Sequence, residues 1–111
     1  MGLDCFWKNK EGQTANIGKE FNVCGGMFSD NGTTSFRGKV YAELVEQASD
    51  ISLYQEEIDS ETCRKISECL DKFDFERYEG SWWPVEPDEF EQLKEMFRAH
   101  TALGHHLVGW W

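Results

Sequence analysis

The fold turns on Pro87-Asp88-Glu89-Phe90-Glu91-Gln92-Leu93-Lys94-Glu95-Met96-Phe97-Arg98-Ala99-His100-Thr101-Ala102-Leu103-Gly104 and on the residues that follow, His105-His106-Leu107-Val108-Gly109-Trp110-Trp111. Phe90, Leu93, Met96, Phe97 and His100 or Leu103 recur at spacings of three and four, which lines one side of a helix with apolar groups. Pro87 suits the first helical position, where an N–H would have no partner, and Asp88 and Glu89 suit the positive end of the helix dipole. Gly104 fits the left-handed residue that closes such a helix. Beyond it, His105–Trp111 reads as a closing strand with Leu107 and Val108 at its centre.

Working back toward the N-terminus, Cys63, Ile66, Cys69, Leu70 and Phe73 form the stripe of a second helix, capped by Asp59 or Ser60. Phe36, Val40, Tyr41, Leu44, Val45 and Ala48 form a third stripe, from about Ser35 to Gln47. Residues 74–86 fit no period and read as loop, and Ile51–Tyr54 reads as a short strand. At the front of the chain Leu3, Cys5 and Trp7 share one face of a strand over 3–8. Glu11-Gly12 is a hairpin signal, so a return strand is expected through Ala15–Val23, with Gly18 as a bulge. Cys24 to Thr34 is a Gly-rich loop. The expectation is one α+β domain over 1–111: a small, mainly antiparallel sheet, made of an N-terminal hairpin and the C-terminal strand, packed with about three helices.

Charge is segregated along the chain. Residues 41–91 hold 16 of the 21 Asp and Glu but only four Lys or Arg, whereas 1–40 and 92–111 are each near neutral, within a net charge of −10. Tyr54, Phe75, Tyr78, Trp82 and Trp83 lie in the same acidic middle. Acid with aromatics favours a basic protein surface or a cationic small molecule as partner and disfavours nucleic acid, whose phosphates need cations. No apolar run approaches the roughly 20 residues of a membrane span, and Asp4 and Lys8 interrupt any signal-peptide core. A cytoplasmic protein without membrane contact is expected. Cys63 and Cys69 are too far apart along one helix to bridge. All four cysteines are therefore read as reduced, and no paired-ligand spacing suggests a metal or another cofactor.

The opening Met1-Gly2-Leu3-Asp4, the Phe36-Arg37-Gly38-Lys39 helix start and the ending Gly104-His105-His106-Leu107-Val108-Gly109-Trp110-Trp111 resemble a pattern of small uncharacterised prokaryotic and phage proteins. That resemblance implies an accessory gene of the mobile gene pool and carries no activity.

Four groups of residues are candidate sites. Trp82 and Trp83, flanked by Tyr78, Glu79 and Glu86, suit a cation by charge and by attraction to the ring faces; the alternative is that one Trp plugs the core. Trp110-Trp111 would tuck one ring under a helix and leave the other, with Trp111 as the contact residue, for an interface. His100, His105 and His106 are read as structural, since no nucleophile with a third orienting group stands beside them. Gly25, Gly26, Arg37 and Lys39 are the candidate anion site, a Gly-rich turn feeding a helix with two cations, although the spacing is neither a Walker nor a dinucleotide motif. The leading expectation is a small non-enzymatic binding module, including an inhibitor protein of a mobile element. The alternatives are an enzyme or anion-binding protein at the Gly-rich loop, and a structural subunit forming a homodimer through its C-terminal strand.

Overall fold

The computed structural model describes residues 2–25, 32–80 and 84–111. Four strands, β1 (Asp4–Lys8), β2 (Ser35–Phe36), β3 (Glu57–Ile58) and β4 (His106–Trp110), form one antiparallel sheet in the order β2-β1-β4-β3. Three helices, α1 (Gly38–Ser49), α2 (Ser60–Lys72) and α3 (Pro87–Ala102), pack on one face of it. This is the expected α+β architecture.

The alternation read in 3–8 explains which face is covered. Leu3, Cys5 and Trp7 point to the helices and are fully buried, as is Phe36 of β2; Ile58 and Leu107 are nearly so. Each helix meets this face. Tyr41 of α1 packs against Phe36, and Phe97 of α3 packs edge-on against Trp7. On α2 the Cys63 thiol donates to Ile58 O. Burial pushes the Cys63 thiol up to about 12, and it raises the Cys5 thiol as well. α2 starts where Asp59 accepts from the Thr62 N–H at 2.7 Å; the Thr62 side chain and then this backbone bond hold the Asp59 carboxyl below its usual range. α3 starts at Pro87, as its sequence indicates.

Three expectations are corrected. The hairpin turn forms, with the Asn9 N–H bonded to Gln13 O at 2.9 Å, but its return arm pairs through the single Lys8–Thr14 bridge. Gly18 takes φ +69 and turns the chain away, so Ala15, Phe21 and Val23 are buried from a loop. β1 takes Ser35–Phe36 as its edge partner, and α1 therefore begins at Gly38 and not at Ser35. The short strand of the acidic middle is Glu57–Ile58 and not Ile51–Tyr54. It lies against β4 where Gly109 leaves room, since a Cβ there would stand 2.4 Å from Gln55 O.

Candidate functional site

The register of the sheet sets out its helix-free face in rows. Residues directly opposite one another on antiparallel strands share a face. Thr14, Lys8 and His106 form one row; Ser35, Phe6, Val108 and Glu57 the next; Asp4 and Trp110 the third. Trp110 is 60% exposed, with the Phe6 ring 6.5 Å away. Trp111 falls on the other side of the strand, 49% exposed, edge-on to Tyr54 at 5.7 Å. Neither indole goes under a helix, contrary to the expectation for one of them. The two rings, Val108, Gly109 and Glu56 border a hollow of about 330 Å3 at the end of β4. Glu57, well exposed, reaches toward His106 at 3.9 Å. Tyr54 and Glu56 are thus the contact candidates that sequence reasoning missed; only their place in the acidic aromatic segment hinted at them.

The remaining predicted residues are dispersed. Trp82, Trp83 and Gly26 lie outside the described residues. Tyr78 is half-buried and stacks on Phe75, which stacks in turn on Phe90; burial, then the nearby Glu43, raise its hydroxyl. Glu79 exchanges two hydrogen bonds through its backbone with the Gln47 side chain, at 2.9 and 3.1 Å. Glu86 is the residue before α3, and its N–H donates to Glu89. With Asp88, Glu89, Asn22, Val23 and Cys24 it lines a cleft of about 400 Å3. Tyr41, fully buried, donates its hydroxyl to Glu89 and accepts the Cys24 N–H at 2.6 Å. Burial and then Glu89 raise the Cys24 thiol, the opposite of what a nucleophile needs.

Arg37 and the Lys39 backbone, of the anion candidates, are already engaged. Arg37 Nε lies 3.2 Å from Asp4 Oδ1, an ion pair held by charge without an aligned hydrogen bond between those atoms. The Arg37 N–H is bonded to Cys24 O and the Lys39 N–H to Leu3 O. The donors at the start of α1 that could cradle a phosphate are therefore partly used by the chain itself.

Buried His100 and half-buried His105 form a hydrogen-bonded pair. His100 Nε2 is 3.0 Å from Gly32 O, which can only accept, so that nitrogen carries the proton. His100 Nδ1 then accepts from His105 Nδ1 at 2.9 Å, if the pair is neutral. Burial, then His106, lower the His105 imidazole, which favours the neutral pair.

No family model matches the chain, and neither does any curated protein or solved structure. Among the described residues no helix is long and apolar enough to cross a membrane, and no group of three or more His, Cys, Asp or Glu is arranged to hold a metal ion.

Proposed function

We propose that the protein is a non-enzymatic binding module that takes a basic segment of another protein at the end of β4. One observation carries the reading: Trp110, Trp111 and Glu56 line one hollow, both tryptophans are exposed, Tyr54 is edge-on to Trp111 and Glu57 lies opposite Val108. An indole face attracts a guanidinium or ammonium, and an adjacent carboxylate adds to that attraction. Large exposed rings beside charge also fit the residues that dominate protein interfaces. The acidic middle supplies long-range steering toward a basic partner. The raised Cys24 thiol and the engaged nitrogens of His100 support a binding role over a catalytic one. An inhibitor of a basic protein, encoded by a mobile element, is one form of this reading.

Titration with oligoarginine and oligolysine peptides, followed by tryptophan fluorescence and by backbone amide shifts, tests it. Binding should map to residues 54–57 and 108–111 and weaken as ionic strength rises, because screening shortens from about 30 Å at 0.01 M to about 3 Å at 1 M. Trp111→Ala and Glu56→Gln should each weaken it, the former by about 2 kcal/mol if Trp111 is an anchor. Equal binding of oligoglutamate, or shifts confined to other surfaces, overturns the proposal. A concentration-dependent dimer that Trp111→Ala abolishes would instead make a second copy the partner.

A further inference from the structure

The helix-free face holds a mixed hollow and an apolar hollow that share two residues. The mixed one, of about 270 Å3, is lined by Phe6, Trp7, Lys8, Thr14, Thr34 and Ser35. The apolar one, of about 390 Å3, is lined by Phe6, Lys8, Val108, Gly109 and Trp110. Ser35 is almost wholly buried and its hydroxyl has no hydrogen-bond partner. Its place opposite Phe6 turns it to the same face as Phe6. A buried hydroxyl without a partner is destabilising, and such groups call for an explanation. Lys8 is half-buried and belongs to none of the ion pairs among the described residues. Its nearest charged or titratable neighbour by register, His106, is drawn toward Glu57. The other charges of this face, Asp4 and Arg37, neutralise each other.

We propose that this face binds a small planar carboxylate, its carboxylate at Lys8 and Ser35 and its flat body across Phe6 toward Trp110. An unpaired ammonium beside an unsatisfied hydroxyl supplies one charge-assisted bond and one neutral bond, the complement of a single carboxylate. Successive rows stand about 7 Å apart along the strands, at roughly 3.3 Å per residue. A bicyclic aromatic acid anchored at Lys8 therefore reaches the Phe6 row and continues toward Trp110. The charge selects a monoanion: one lysine is offered, and a chain of net charge −10 repels a phosphate dianion more strongly. This surface goes beyond the basic-segment contact, which centres on Glu56 and Trp111, and shares Val108, Gly109 and Trp110 with it.

The test uses the intact chain and three probes with one ring system: 2-naphthoate, 2-naphthyl phosphate and 2-naphthylmethylammonium. Naphthoate should shift the amides of Phe6, Lys8, Val108 and Gly109 and quench tryptophan fluorescence. Lys8→Met, which keeps the apolar stem, should weaken it about tenfold or more, and Ser35→Ala should weaken it less while leaving the fold intact by circular dichroism. Glu56→Gln should leave naphthoate binding unchanged, so that this inference and the basic-segment reading fail separately. Absence of shifts at millimolar naphthoate overturns the proposal. So does binding that Lys8→Met does not alter, equal binding of the ammonium probe, or tighter binding of the phosphate.

Discussion

The imidazole of His100 lies parallel to the indole of Trp7, with centroids 4.3 Å apart and planes 3° from coplanar orientation. The stack ties α3 to β1, and the hydrogen bonds of His100 extend the tie to Gly32 and to His105 at the entry to β4. His100→Ala should remove the stack, two hydrogen bonds and the volume of a fully buried ring. Urea unfolding should show a loss of about 3 kcal/mol, within the range for large buried side chains. A loss below about 1 kcal/mol would mean that the His100 contacts are not formed in solution.

Acid should weaken the same tie. The His105 imidazole is lowered from its ordinary 6.5 by burial and by His106. The unfolded chain therefore takes up a proton at that position before the folded one does. Its contribution is fully present above pH 6.5 and is lost as pH falls through the folded value. Urea midpoints should fall on going below pH 6.5, and His105→Gln should flatten part of that slope. An unchanged slope in the variant would assign the acid sensitivity to other groups.

Thiol reactivity should divide the cysteines two and two. Cys5 and Cys63 are buried, while Cys24 and Cys69 are half-buried. In native protein under non-reducing conditions, an aromatic disulfide reagent should modify Cys24 and Cys69 only, slowly at Cys24 because burial and Glu89 raise its thiol. In denaturant the count should be four. Rapid native labelling of Cys5 would contradict its burial under α1.

Gly109→Ala should dislodge β3 selectively, because the new methyl group would meet Gln55 O at 2.4 Å. The cost should be about 1–3 kcal/mol, as for overpacking elsewhere. Amide exchange should quicken at Glu57 and Ile58 more than in α3. A uniform change across the chain would indicate that β3 is not a separable edge.

Asp50 ends α1 in the left-handed region at φ 60, a conformation that glycine takes without penalty. Asp50→Gly should relieve that strain but loosen the unfolded chain, for a net gain of roughly 0.5 kcal/mol. A lower melting temperature in the variant would show that the Asp side chain contributes more than its backbone strain removes.

The helices and β4 were legible because their signals are local. Asp59, Pro87 and Gly104 mark boundaries; the stripe of α3 names its buried residues with His100 and not Leu103, and that of α2 names Cys63, Ile66 and Leu70 while Cys69 and Phe73 are half-buried. β2 and β3 were not legible, since two residues carry no period and both are defined by partners distant in sequence. The apolar residues of Ala15–Val23 invited a strand, yet they serve as plugs from a loop that Gly18 bends. Trp111, named from its chemistry as a contact candidate, is exposed. Tyr54 and Glu56 become its neighbours only when β3 joins β4, and the pairing of Arg37 with Asp4 needs the N-terminal strand beside α1.

β4 lies between β1 and β3 and is the last of the four described strands to leave the ribosome. β1, made about a hundred residues earlier, therefore has no central partner until nearly the whole described chain has been synthesised. The sheet closes only after translation has passed Trp110, so it cannot assemble progressively as the chain emerges. Such long-range pairing slows folding, since the loop must close before any strand contact compensates for it. Until then Cys5, Trp7 and Phe36 are an apolar strand surface open to other chains. Products that stall or end before β4 should be aggregation-prone and dependent on holding chaperones, even though the sequence is strongly charged.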